Sequence, residues 1–270
     1  MKKILFIYGT RPEAIKMAPL IKTMDCYEDN FQVHVCSTGQ HREMLMQVNE
    51  FFNIMPDFEL DLMEPDQSLS HFMSKCMSEL DQVLEQVKPD MVFVQGDTSS
   101  VVAGALAAFY RGILVSHLEA GLRTRNKYSP FPEEMNRRVT SQISDFHFAP
   151  TESAVENLKH ENISNRVYLV GNTVIDALYM ALSLTANDDE KFFKSFSNID
   201  FKRKIILVTG HRRESFGEGL KNICLAIREI AKRHDEVQII YPVHLNPNVQ
   251  EPVYRLLSGL DNVFLVAPLE

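Results

Sequence analysis

The sequence predicts an α/β protein of two doubly wound domains, the second of them incomplete. Three observations carry that prediction. Short apolar, β-rich runs alternate with segments of helical period, as in βαβ units around a parallel sheet. The pattern reaches six strands by about residue 170, turns polar over 185–190, and restarts near Lys204. Titratable residues sit at the carboxyl ends of the apolar runs, where an open parallel sheet binds its ligands.

The elements follow in order. Ile4-Leu5-Phe6-Ile7-Tyr8 reads as a strand over 3–8. Met1-Lys2-Lys3 ahead of it imitates a signal peptide, but the run is short and Arg11 and Glu13 interrupt it. A helix over 12–25 follows, with Pro12 suited to its first turn. Further strands are read near 31–37, 90–95, 113–118, 145–149 and 166–170. Further helices are read near 41–52, 68–87, 99–110, 132–143 and 152–161, Pro132 again suiting a first turn. These make a first domain of residues 1–172. Residues 173–203 read as a helical connector, with 185–190 as its linker. The second domain, 204–270, has strand 204–209, helix 219–234, strand 237–242, helix 247–257 and strand 262–266.

Bulk properties narrow the function classes. The 270 residues are 45% hydrophobic and 24% charged, as in ordinary globular proteins. A net charge of -8 argues against a nucleic-acid partner but permits local basic pockets for phosphate. No segment approaches the ~18 apolar residues of a membrane span. Cys26, Cys36, Cys76 and Cys224 have neither CxxC nor metal-ligand spacing. They read as reduced, mostly buried thiols of a cytoplasmic protein, with no metal site.

Chemistry is expected in the loops after the strands. Gly9-Thr10-Arg11-Pro12-Glu13-Ala14 joins a strand to a helix whose free N–H groups favour an anion, and Arg11 and Lys16 add two cations. Asp97 follows Gly96 at a strand end, where its plain role is to cap the next helix. Glu119 lies among small and apolar residues in His117-Leu118-Glu119-Ala120-Gly121, which suits an acid or base unless Arg123 or Arg125 neutralises it. Glu133 and Glu134 open a helix, where the dipole and i,i+4 pairs with Arg137 and Arg138 would explain them. Tyr128-Ser129-Pro130-Phe131 ahead of them has the make-up of a lid. His211-Arg212-Arg213-Glu214-Ser215-Phe216-Gly217 looks like a phosphate cradle on the second domain, and Tyr241-Pro242-Val243-His244 ends the next strand in the same style.

Nine segments together resemble the non-hydrolysing UDP-N-acetylglucosamine 2-epimerases of bacteria. They are GTRPEAIKMAPL (9–20), TGQHREML (38–45), VQGDTSS (94–100), HLEAGLRT (117–124), SPFPEEMNRR (129–138), FAPTESA (148–154), GNTVIDAL (171–178), TGHRRESFG (209–217) and YPVHLNPNV (241–249). The resemblance implies a GT-B fold: two Rossmann-like domains with the UDP-sugar between them. It implies C2 inversion to UDP-N-acetylmannosamine, by anti elimination of UDP to a 2-acetamidoglucal and re-addition. By family match, Asp97, Glu119 and Glu133 are acid/base carboxylates and His211 joins the catalytic set. Arg11, Lys16, His211 and Arg212 fall around the nucleotide and its phosphates. Gln40, Glu43, Glu134 and His244 fall in segments that line a second, allosteric UDP-N-acetylglucosamine site in some members. Asp66 stands where members often carry a basic residue. The family implies no cofactor, no obligatory metal and a homodimer.

Family members continue beyond Pro268-Leu269 with a segment that holds the uridine and ribose. Little activity and a less stable second lobe, with an uncovered edge at Val263-Phe264-Leu265-Val266, are therefore expected of residues 1–270. Two other readings stay open on the sequence: another GT-B enzyme such as a glycosyltransferase, and an inactive fragment that binds nucleotide weakly.

Overall fold

The computed structural model describes residues 1–39, 42–64, 66–186, 196–210 and 217–268, without the side chains of 42–44. The chain divides into two compact units, Met1–Thr185 and Ala186–Glu270.

The first unit is a seven-stranded parallel sheet. Its strands are β1 (Lys2–Tyr8), β2 (Phe31–Ser37), β3 (Phe58–Glu59), β4 (Met91–Gln95), β5 (Leu114–Leu118), β6 (Phe146–Ala149) and β7 (Val167–Leu169), in the order β3-β2-β1-β4-β5-β6-β7. The chain starts in the middle of the sheet, works outward to β3, then crosses back to β4. The order therefore reverses between β1 and β4, which are paired through Ile4–Phe6 and Met91–Phe93. Six strands are within a residue or two of the expected ranges. The seventh, β3, is two residues long, too short to carry a pattern.

Both faces of the sheet are buried at its centre, because β1 alternates its side chains between two cores. Leu5 and Ile7 join Val92, Val94 and Val115 beneath α3 (Leu69–Val87) and α4 (Ser99–Tyr110). Ile4, Phe6 and Tyr8 join the apolar faces of α1 (Arg11–Asp25) and α2 (Arg42–Phe51). Stacked rings run across that second face: Phe6 on Phe93 at 5.1 Å, Phe93 on Phe148 at 6.1 Å, Phe148 on Tyr168 at 5.7 Å. Each fully buried side chain of this size contributes about 1.5–3 kcal/mol. α4 is nearly all buried because it is built of small residues. A Cβ on Gly104 would come within 3.2 Å of Ile7.

Helix ends carry the signals their sequences suggest. Glu13 of α1 reaches back to the Thr10 N–H, and Pro12 lies in the first turn. Ser68 caps α3 and Thr151 caps α6 (Glu152–His160). α5 (Glu133–Ile143) begins one residue late, with Pro132 at its N-cap instead of in its first turn. α7 (Val174–Thr185), read from sequence as part of a connector, buries Ala177 in the core shared with α1 and belongs to the first unit.

The second unit has β8 (Lys204–Leu207), β9 (Val237–Pro242) and β10 (Val263–Val266) in the parallel order β10-β9-β8. α8 (Glu218–Arg233) and α9 (Pro247–Leu257) close its core through Leu220, Cys224, Ile227, Tyr241, Val249, Val253 and Leu257. Exposure falls on β8, where Ile205, Ile206 and Leu207 are open, more than on β10, which Leu260, Val263 and Leu265 tie to the core. No helix among the described residues is long and apolar enough to cross a membrane.

Candidate functional site

The carboxyl ends of β1, β4 and β5 bring three loops to one rim of the first unit. The β1 loop turns at Gly9, where a Cβ would sit 2.3 Å from Thr38 Oγ1 and 2.4 Å from Ser100 Oγ. Those two hydroxyls bond each other at 2.8 Å, so only glycine lets the backbone pass. Glu13 is buried beneath this loop. Its Oε2 accepts from the N–H groups of Gly9 at 2.6 Å and Thr10 at 2.8 Å, and its Oε1 accepts from the Thr98 hydroxyl. Burial pushes Glu13 upward, and these hydrogen bonds oppose the shift.

Asp97 leaves β4 after Gly96, which adopts φ +83°. Thr98, not Asp97, caps α4: its Oγ1 accepts from the Val101 N–H. The expected capping role of Asp97 therefore does not arise, because the next residue fills it. The Asp97 carboxylate instead accepts from Arg137 Nε at 2.8 Å, with Nη2 at 2.7 Å, while Asn136 Nδ2 holds the Asp97 carbonyl at 2.8 Å. Burial raises the Asp97 carboxyl above the ordinary range. Arg137 opposes that shift, and the charges of Glu133 and Glu119 add to it.

Glu119 follows β5 in a left-handed conformation, φ +63°, uncommon for a residue with a Cβ. Its Oε2 meets Lys16 Nζ at 2.6 Å and Gln95 Nε2 at 2.5 Å, and its Oε1 accepts from Asn172 Nδ2 at 2.8 Å. Neither arginine considered from sequence pairs with it. Arg123 is turned away onto Glu161, with bonds of 3.0 and 2.8 Å. Glu133, in the first turn of α5, has its Oε2 buried with no hydrogen-bond partner among the described residues. The i,i+4 pairs that would have explained this helix start do not form. Arg137 goes to Asp97 and Glu134, and Arg138 to Glu161.

Behind the rim, buried His117 on β5 presents Nε2 to the Gly96 carbonyl at 2.8 Å and leaves Nδ1 without a partner. Burial lowers its pKa to about 3, so the ring is neutral and serves to hold the β4 turn.

A family model described as UDP-N-acetylglucosamine 2-epimerase matches residues 25–270. The chain belongs to the UDP-N-acetylglucosamine 2-epimerase family. It is 50% identical over 270 residues to the UDP-N-acetylglucosamine 2-epimerase of Yersinia pestis, covering 98% of this chain and 72% of that one. The Escherichia coli K12 relative is 48% identical over 272 residues, with 99% and 72% covered. A crystal structure of the Neisseria meningitidis UDP-GlcNAc 2-epimerase bound to UDP-GlcNAc matches at TM-score 0.90 and 49% identity, covering 99% of this chain and 73% of that one. These neighbours give the fold its GT-B type.

Within this epimerase-family chain, Asp97, Glu119 and Glu133 share the rim with Lys16. Arg11 opens α1, half-buried. Glu134 is different from its neighbour. It is buried, and its carboxylate accepts from the Thr124 and Arg125 N–H groups at 3.0 and 3.1 Å and from Arg137 at 3.3 Å. Burial alone would raise it, but these donors hold it below the ordinary carboxylate range. Its oxygens are taken up by the 124–125 backbone and Arg137. It also lines a cavity of about 400 Å³ with Arg123, Arg125, Arg138, Asn157, His160 and Glu161, which none of the other three carboxylates lines. His244 lies exposed after β9 in the second unit, its Nδ1 accepting from the Asn246 N–H at 3.1 Å. Gln40, His211 and Arg212 lie outside the described residues, as does the side chain of Glu43. No cluster of three or more His, Cys, Asp or Glu among the described residues could hold a metal ion.

Sequence reasoning missed Gln95, Asn172 and the true partner of Arg137. A polar residue closing the apolar run Met91-Val92-Phe93-Val94-Gln95 was a signal for the first. The others are tertiary pairings with no local mark.

Proposed function

We propose that this protein interconverts UDP-N-acetylglucosamine and UDP-N-acetylmannosamine. The single observation that carries the reading is the convergence of Asp97, Glu119 and Glu133 on one rim, close enough for the other two to push Asp97 upward. Membership of the family supplies the substrate class.

The chemistry fits what the reaction asks. The C2–H bond of the sugar is not acidic, so it needs a positioned carboxylate. As that proton leaves, the C1–O bond breaks, its electron pair departs with UDP, and a 2-acetamidoglucal remains. Re-addition of UDP at C1 takes a proton at C2 from the opposite face. Two carboxyl groups in different protonation states serve this, and mutual repulsion within a partly buried set is a way to separate them. In this reading Arg11 and Lys16, with the N-terminus of α1, stabilise the departing diphosphate.

The test is solvent exchange. Product formed in deuterated water should carry deuterium at C2, with or without added nicotinamide cofactor or chelator. Unlabelled product, or transfer of the sugar to an added acceptor without inversion, would refute the reading.

A further inference from the structure

We infer that Gln95 and Asn172 are positioning residues for Glu119, forming with Lys16 a three-donor harness that fixes its carboxylate on the rim. The inference rests on the reading above, in which Glu119 takes part in proton transfer.

The geometry is specific. The donors come from three separate places in the chain: Lys16 in α1, Gln95 at the end of β4, and Asn172 just before α7. They occupy both carboxylate oxygens, so no other rotamer of Glu119 keeps all three. Asn172 is itself fixed, because its Oδ1 accepts from the Val174 N–H at 3.1 Å. Only one orientation of the amide satisfies both contacts, with Nδ2 toward Glu119. Gln95 is buried at 2% exposure and has no freedom to turn to solvent. The backbone agrees. A left-handed φ at a residue with a Cβ persists where its surroundings over-determine it, and Glu119 is so placed. Its two companions are held less. Asp97 is gripped on one oxygen, and Glu133 leaves one oxygen without a partner among the described residues. The harness gives Glu119 a fixed direction, whereas Lys16 supplies the counter-charge.

Asn172→Asp isolates the donor, because it keeps the acceptor that starts α7 and changes only the group facing Glu119. Gln95→Glu does the same on the other oxygen. Each variant should lower kcat about 10- to 100-fold at pH 8 with KM changed less, the scale of a lost hydrogen bond to a charged group. Activity should recover as pH falls toward 6, when a proton shared by the facing carboxylates restores the bond. A structural role gives no such rescue. Loss that is uniform with pH, or profiles parallel to that of the unaltered protein, would overturn the inference. If the unaltered protein shows no epimerisation, the harness is still decided by crystal structures of the unaltered chain and of Asn172→Asp at pH 8. The Glu119 carboxylate should leave its place beside residue 172 in Asn172→Asp, and an unmoved carboxylate would overturn the harness.

Discussion

Acidification should destabilise the first unit through His117, and the size of the effect follows from its surroundings. Nε2 is committed to the Gly96 carbonyl, so that nitrogen carries the hydrogen. A second proton would have to enter at Nδ1, which is buried and has no acceptor. That is why burial brings the pKa from 6.5 to about 3. Unfolding frees the ring to take up a proton, so its contribution to stability is present above pH 6.5 and is lost as pH falls toward 3. The slope in that window is about 1.4 kcal/mol per pH unit, and the loss between pH 7 and pH 5 is about 2 kcal/mol. His147, lowered by burial as well, acts in the same sense. Asp97 and Glu13 are raised and act in the opposite sense. Comparison with His117→Gln at each pH cancels those shared terms, because the amide can keep the bond to Gly96 and does not titrate. At pH 5 the unaltered chain should take up nearly one proton more on urea unfolding than the variant. Urea midpoints between pH 7 and 5 should also fall more steeply for the unaltered chain. Equal proton uptake by the two chains would refute the argument.

Three further outcomes are expected. Asp97→Asn and Glu133→Gln should each cut turnover at least ~100-fold in a steady-state assay, and wild-type turnover by Glu133→Gln would reduce that residue to a helix start. Arg137→Met removes the cation from the half-buried Asp97, so the acid limb of the pH–rate profile should move upward. Stability should fall by about 2 kcal/mol, a value discounted for partial exposure. Gly9→Ala should cost about 1–3 kcal/mol from overpacking against Thr38 and Ser100, with part recovered by Ser100→Ala, as thermal melts would report.

Much of the frame is legible in the sequence because parallel strands buried on both faces read as near-continuous apolar runs. β1 and β4 are of that kind, and their ends mark the rim. β3 is not, since Phe58 and Glu59 alone form no pattern. Asp97 and Glu119 were legible for the same reason, as charges at places where a strand must end, whereas Glu133 stands at a helix start. What surrounds them was not. Arg137 sits one turn from Glu133, so helix spacing suggested a pair, but Asp97 on another element offered it a better partner. Asn172 reads as a loop residue until the fold carries it to Glu119. Thr98 and Asp97 are adjacent, and nothing local says which of them caps α4.

Glu13 has a consequence for the whole rim. At the reversal of strand order, α1 leaves toward one face of the sheet and α4 toward the other, so a crevice opens between the loops after β1 and β4. The buried Glu13 carboxylate grips the first loop through two backbone amides and the second through Thr98. It therefore acts as a gauge for the mouth of the crevice. The gap offered to a bound anion is set from below by one side chain of fixed length, and it is already set before any ligand arrives.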